Sequence, residues 1–246
     1  MQNRNFREYS KKHIHFYDLK IPDLLEKAVK SKNSRDFSVV DLGCGDGSLL
    51  FSLQKGGLFS NAEKIVGVDL SSQRIKNLRE NVKGVVGIVS DACNVEELEN
   101  NVFDVVISSQ VVEHVSDDNE LLKEIRRLLK SNGVVYISSV IKKWYGFYIY
   151  IKKGKFRLDP THVREYSSKE DFLNLLERNG LKISEYKVKI VKYSLSDLFI
   201  RMFIKIGLTK SSTARNVYIE SRWMKSYRKL IIPIIGYYTI EVLCKT

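Results

Sequence analysis

The sequence predicts an α/β fold, a mostly parallel sheet with helices on both faces. Three observations lead there. Short apolar runs rich in β-branched residues recur from residue 37 onward, amphipathic segments alternate with them, and 246 residues with 43% hydrophobic side chains suit one sizeable domain with a full core. Near-continuous apolar strands are those buried on both faces, as parallel strands are.

Each element has its own signal. "FSVVDL" (37–42) is strand 1, and "SLLFSLQKGGL" after it keeps helical spacing until Gly56-Gly57. "KIVGVDL" (64–70) is strand 2. "SSQRIKNLRENVKG" (71–84) opens on serine and closes on glycine, the usual asymmetry of helix ends. "VVGIVSDA" (85–92) and "VFDVVISSQ" (102–110) are strands 3 and 4. "DDNELLKEIRRLLKSNG" (117–133) repeats Leu and Ile at i, i+3, i+4 and i+7, which predicts a helix running to Asn132-Gly133. "VVYISSV" (134–140) is strand 5.

The alternation then breaks. Residues 141–158 are basic, aromatic and poor in helix signals, and they read as an insertion. "SSKEDFLNLLERNG" (167–180) predicts a helix capped by Ser167 with Glu170 three residues on. "LKISEYKVKIV" (181–191) is a sixth strand and "GYYTIEVLCK" (236–245) a final one. Between them, Leu195, Leu198, Phe199, Met202, Phe203 and Ile206 share one face of a basic amphipathic helix (195–208). The chain reads as a single domain: an N-terminal helix and lid (1–36), a binding core (37–140), and elaborations at 141–166 and 192–230. Tyr9, His15 or Tyr17 of that lid is expected to reach the site, and nothing in the sequence chooses among the three.

Composition narrows the function classes. The three cysteines, Cys44, Cys93 and Cys244, are far apart and form no CxxC, so neither a disulfide framework nor a zinc site is indicated. The expected setting is reduced and cytoplasmic, with contact at a membrane surface as a peripheral option. The N-terminus lacks the apolar stretch of a secretory signal. The longest apolar run, "LIIPIIGYY" (230–238), falls short of the about 20 residues that span a bilayer. Charge is uneven: 19 Lys and Arg stand against 20 Asp and Glu in residues 1–139, and 22 against 9 in residues 140–246. The C-terminal part therefore suits an anionic partner, whether a phosphorylated substrate, an acidic membrane surface or a nucleic acid, unless its charge serves solubility alone.

The most informative stretch is "VVDLGCGDGSLL" (39–50). Glycines after strand 1 let a ligand approach the backbone, because no Cβ stands in the way. A phosphate-binding P-loop needs Lys-Ser or Lys-Thr after its glycines, and none follows. A dinucleotide fingerprint needs a third glycine at position 48, where Ser48 stands; Gly47 comes one place early. The acidic residues point elsewhere. Asp69 ends strand 2, where a carboxylate accepts hydrogen bonds from ribose hydroxyls. Asp91 ends strand 3, where an adenine amino group could be met. Asp41 precedes the glycines; it would repel a pyrophosphate and suit a cationic, amino-bearing cofactor. S-adenosylmethionine, with adenosine, sulfonium and ammonium groups, meets all three requirements.

These segments, with "IVGVDLS", "GIVSDA", "FDVVISSQVVEHV" and "LLKEIRRLLKSNGVVYISSV" in this order and spacing, resemble the class I S-adenosylmethionine-dependent methyltransferases. The resemblance covers residues 37–140 and extends to "DPTHVREYSSKEDFLNLLERNGLKI" (159–183), as in small-molecule members of the family. It implies a Rossmann-like sheet of seven strands with the last one antiparallel. It implies that Gly43 and Gly45 pass under the methionyl part and ribose, and that Asp41 orients the ammonium end. Asp69 would bind the ribose hydroxyls and Leu70 pack on adenine. Asp91 and Ala92 would meet the adenine edge, and Ser109 and Gln110 would lie near the reacting methyl.

Transfer to an oxygen is helped by a general base, because a protonated alcohol or phenol is a poor nucleophile. Of the four histidines, His114 in "VVEHV" and His162 in "DPTHV" are the candidate bases. Each has a plain structural reading as well. Glu113 beside His114 is a lone Glu-His pair, which is no metal site by itself. The expected acceptor is a small or lipid-linked molecule. The alternatives are an RNA or protein acceptor gripped by the basic half, although no base-reading motif is present, and a cofactor-binding relative without turnover.

Overall fold

The computed structural model describes residues 20–33, 36–148, 150–152, 154–194 and 230–245. Tyr9, His15, Tyr17 and the segment 195–208 lie outside the described residues.

Helix α1 (Asp23–Lys30) leads into strand β1 (Phe37–Leu42), followed by α2 (Ser48–Lys55), β2 (Ala62–Asp69), α3 (Ser72–Asn81) and β3 (Val85–Val89). Then come β4 (Phe103–Ser109), α4 (Asp118–Leu128), β5 (Leu129–Lys142), a small hairpin of β6 (Tyr150–Lys152) and β7 (Lys155–Arg157), α5 (Lys169–Arg178), β8 (Lys182–Ser194) and β9 (Ile231–Lys245). Seven strands form one sheet in the order β3-β2-β1-β4-β5-β9-β8. β1 to β5 run parallel, and β9 runs antiparallel between β5 and β8. This is the expected architecture, final antiparallel strand included. The strand order reverses between β1 and β4, so the crevice beyond their C-terminal ends is where a ligand fits.

Burial explains the strand signals. Every residue of β1 is buried, and two apolar clusters cover the sheet, one through α4 and α5 and one through α1, α2 and α3. Ser71 caps α3 by accepting from the Arg74 N–H, as its position suggested. Two expectations about helix ends are corrected. α4 stops at Leu128 rather than at Asn132-Gly133, because the chain is already needed as strand: Leu129 pairs with Phe103, and the carbonyls of Arg127 and Leu128 accept from Asn101 and Val102. The cap of α5 is Ser168 rather than Ser167, and its reciprocal partner is Asp171 rather than Glu170. The Ser168 hydroxyl accepts from the Asp171 N–H at 3.0 Å, and the Asp171 carboxylate accepts from the Ser168 N–H at 3.2 Å.

The insertion is partly built on the sheet. β5 continues to Lys142, and Tyr148 packs with Tyr150, Tyr193 and Tyr237 in a third apolar cluster. Gly236 (φ +76°) allows the chains to cross here, since a Cβ on it would lie 2.4 Å from the Gly146 Cα. Trp144 stays 93% exposed, and Phe147, Ile151 and Phe156 are also exposed. Among the described residues no helix is long and apolar enough to cross a membrane.

Candidate active site

The glycine loop is pinned to strand β2. The Gly43 and Cys44 N–H groups donate to the Val68 carbonyl at 2.8 and 2.9 Å, and the Gly45 N–H donates to the Asp69 carboxylate at 3.1 Å. Gly43, Gly45 and Gly47 all have positive φ, and Gly47 is the N-cap of α2. The loop rims an open cleft of about 370 Å³ whose walls include Asp41, Gly43, Gly45, Ser109 and Gln110, beside Lys20 and Arg74. Five of the nine residues expected to bind the cofactor thus line one cleft at the strand-order reversal.

The other four lie off its walls. Asp69 sits behind the loop, only 3% exposed; its carboxylate accepts from the Gly45 and Ser71 N–H groups, and Arg74 stands 3.7 Å away. Leu70 is half-buried, Ala92 packs in the core, and Asp91 closes a turn by accepting from the Cys93 N–H at 2.9 Å. Residue 110 carries its own mark. Gln110 has φ +57°, rare for a residue with a side chain and costly without a compensating structure. Its N–H donates to the Ser138 carbonyl, and Ser109 and Gln110 both reach the Ser138 hydroxyl.

Asp41 is buried, and burial, with Asp69 nearby, pushes its carboxyl up to about 8. A raised value means that Asp41 holds its proton below about pH 8. A cationic ligand favours the carboxylate, so binding releases that proton. Affinity for S-adenosylmethionine is therefore expected to rise with pH, by at most tenfold per unit, and to level off near pH 8. Calorimetry in two buffers of different ionisation enthalpy reads the proton release directly; affinity that falls between pH 6 and 8 would contradict this.

The structure brings His114 and His162 together, with ring centroids 4.8 Å apart, edge to face. Glu113 joins them, and one donor atom from each of the three lies within 4.8 Å of the others, the one such grouping among the described residues. Each is held from outside the group: Glu113 accepts from the Ser139 hydroxyl, His114 Nδ1 lies 2.9 Å from Thr161 Oγ1, and His162 Nδ1 lies 2.8 Å from Glu165 Oε1. Burial pushes Glu113 up to about 7; burial and His162 push His114 down to about 4. His114 is half-buried, and Arg74 on the cleft wall is near enough to add to that depression.

Arg164 ties this cluster to the loop after β4. Its guanidinium donates to the carbonyls of Val112, Val115 and Ser116. The sequence reading did not single out Arg74, Arg164, Thr161 or Glu165. The last three stand in the quoted "DPTHVREYS", but their partners are distant in the chain.

The matches to known proteins agree with this geometry. A profile described as "Methyltransferase domain" matches residues 33–180. The chain belongs to that methyltransferase family, as the glycine loop and its acids suggested. Among curated relatives, a ubiquinone biosynthesis O-methyltransferase of Bradyrhizobium diazoefficiens is 32% identical over 168 residues, covering 65% of this chain and 64% of that protein. A mitochondrial ubiquinone biosynthesis O-methyltransferase of Dictyostelium discoideum is 27% identical over 61% of this chain and 51% of its own length. The chain thus spans about half to two thirds of these relatives. Among solved structures, a geranyl diphosphate C-methyltransferase from Streptomyces coelicolor superposes with a TM-score of 0.59 at 13% identity, over 99% of this chain and 97% of that one. At that identity the likeness concerns the fold.

Proposed function

We propose that this chain transfers a methyl group from S-adenosylmethionine to an oxygen of a small or lipid-linked, anionic acceptor. The observation that carries the reading is the cleft itself: Asp41, Gly43, Gly45, Ser109 and Gln110 meet where the strand order reverses. The residues suit the cofactor. At Gly45 a Cβ would meet only Arg74, at 3.7 Å, Asp41 supplies a buried acid for an ammonium or sulfonium, and Asp69 lies behind Gly45 for a ribose. Bound there, the cofactor supplies an activated methyl on sulfur. The protein aligns the acceptor, excludes water and takes up a proton.

Residues 141–166 would form the acceptor side. They join His162 to an exposed aromatic surface, Trp144, Tyr145, Phe147 and Phe156, set among lysines. Aromatic rings with cations suit an amphipathic, anionic molecule or the surface of the membrane that holds it. The matched relatives' names, ubiquinone biosynthesis O-methyltransferases beside ubiquinone/menaquinone biosynthesis C-methyltransferases, favour a small acceptor.

The test is incubation with methyl-labelled cofactor and fractionated cell extract. The label is expected in organic-soluble small molecules, as base-stable ethers, with more transfer when anionic vesicles are present. Label in RNA, with salt-sensitive retention of the protein, would favour a nucleic-acid acceptor instead. Label in no fraction, although the cofactor binds, would favour a binding protein without turnover.

A further inference from the structure

Strand β9 reaches past the strand it pairs with. Residues 237–244 of β9 pair with residues 135–142 of β5, whereas Ile231, Ile232 and Pro233 pair with β8 alone, opposite Ser194, Tyr193 and Lys192. β9 is antiparallel to β5, and β5 is parallel to β4, so this part of β9 projects at the end of the sheet where the cleft opens. Its side chains alternate: Ile231, Pro233 and Ile235 are exposed, and Ile234 is buried in the cluster of Tyr148 and Tyr237. The insertion adds to the same end. The Lys143 N–H donates to the Gly236 carbonyl at 2.8 Å, and Gly146 crosses Gly236, so residues 143–146 lie next in space to the turn after Ile235. The Phe147 ring meets Phe156 edge to face, and Phe156 pairs with Ile151 across the small hairpin. Trp144, Phe147, Ile151, Phe156, Ile231 and Ile235 are 42–93% exposed. Single exposed apolar side chains are ordinary, but six large ones gathered at one end of a sheet mark a surface that something covers.

The charge around them has one sign. Residues 141–158 hold Lys142, Lys143, Lys152, Lys153, Lys155 and Arg157 and no acid, and neither 186–194 nor 230–240 holds an acid. Cations with aromatic rings would also suit a nucleic acid, whose bases stack on rings. Half of the exposed set is aliphatic, however: Ile151, Ile231 and Ile235 have no ring to stack. Aliphatic side chains among lysines suit the boundary between acyl chains and anionic headgroups, where Trp144 and Tyr145, rings with a polar tip, are also at home. We propose that this end of the molecule, residues 143–147 with Ile151, Phe156 and the projecting part of β9, docks on an anionic lipid bilayer. Trp144, Phe147 and Ile235 enter the headgroup–acyl boundary, and the lysines meet the headgroups. A lipid-linked acceptor then reaches the cleft from the bilayer surface. The docking is argued from the exposed face alone, and only this delivery rests on the acceptor proposed above.

The test is sedimentation of the whole chain with phosphatidylcholine vesicles, with and without phosphatidylglycerol. Binding to the anionic vesicles is expected at least about tenfold above the neutral ones, since each cation near such a surface is worth about fivefold, and it should weaken as salt rises. Trp144→Ser combined with Ile235→Ser should lower that binding about tenfold or more, the scale of withdrawing two apolar side chains from an apolar phase. Both side chains are exposed, so the fold should hold, and the Kd for S-adenosylhomocysteine should change less than about twofold, since neither residue lines the cleft. Trp223→Phe leaves Trp144 as the one tryptophan, and lipid brominated along the acyl chain should quench its emission. Absence of binding to the anionic vesicles overturns the proposal, as does unquenched Trp144 emission. Binding that salt removes and the double variant leaves unchanged also overturns it, because charge alone then holds the protein. Retention on RNA that the double variant loses, with no vesicle binding, would make this a nucleic-acid surface instead. Vesicle binding as expected, with the methyl label in RNA or protein, would sink the acceptor reading and leave the docking in place. Label in organic-soluble molecules without vesicle binding would do the reverse.

Discussion

Asp69→Ala is expected to weaken S-adenosylmethionine binding by about 100-fold or more. The estimate starts from the carboxylate's place at the end of β2, directly behind Gly45. Hydrogen bonds from two ribose hydroxyls to a charged group are worth about 1.5–3 kcal/mol each, and about 1.4 kcal/mol is tenfold in affinity. The side chain does a second job in the fold. Burial alone would raise its carboxyl, and Arg74, the Ser71 N–H and the Gly45 N–H work against that rise. Alanine leaves the Gly45 N–H without its acceptor, so part of the loss comes from a loosened loop. Asp69→Asn separates the two effects. It keeps one oxygen for the Gly45 N–H of the loop, replaces the one that the Ser71 N–H uses, and loses the charge, so the loop stays held at Gly45 while binding should still weaken at least about tenfold. Titration calorimetry and thermal unfolding read the two quantities. Binding unchanged in Asp69→Ala would remove the ribose role.

The parts of this reading that were legible in the sequence are those with a short period. β1 and β4 show as apolar runs because both of their faces are buried. The glycine loop shows because three positive-φ positions leave little choice of residue. Helix ends were less legible, and for physical reasons. Leu128 and Leu129 are apolar in either conformation, so only the pairing of Leu129 with Phe103 decides where helix becomes strand. Ser167 and Ser168 are equally good caps in isolation; the α5 cap goes to the one whose N–H the Asp171 carboxylate reaches. The histidine cluster was half legible. His114 stood out after strand 4 and His162 at the end of the basic insertion, but Thr161 and Glu165 acquire meaning only once the chain folds back onto the loop after β4. That return is held by the Val163 N–H on the Glu113 carbonyl and by the three carbonyls on Arg164.

The charge asymmetry has a partial structural account. In the N-terminal half several cations are committed to named acids: Arg127 to Glu124, Lys130 to Asp104, Arg74 beside Asp69. On the C-terminal side, Lys187 and Lys189 lie near Asp23 and Glu241, but lysines there outnumber acids. The surplus is thus a property of the half that carries the exposed aromatics, which is why an anionic acceptor is proposed for that half.

Gly43→Ala should cost about 2–5 kcal/mol of stability and remove cofactor binding. Two independent terms add. Gly43 has φ +76°, where a side chain costs about 1–2 kcal/mol. A Cβ there would stand 2.5 Å from Val111 Cγ2 and 3.1 Å from Cγ1, an overlap that typically costs a further about 1–3 kcal/mol. The loop cannot retreat easily, because the Gly43 and Cys44 N–H groups share the Val68 carbonyl. Val111 cannot yield easily either, since it follows Gln110, itself held at positive φ by the Ser138 carbonyl. Gly57 provides the internal control. It has φ +71° with nothing within 4 Å of its would-be Cβ, so Gly57→Ala should show the backbone term alone. The difference between the two variants in urea denaturation measures the contact with Val111. In the pair Gly43→Ala with Val111→Ala, part of that difference should return, because the methyl groups in the way are gone. Equal losses for Gly43→Ala and Gly57→Ala would mean that the loop floor is not packed against β4 as described, and the cleft would have to be redrawn.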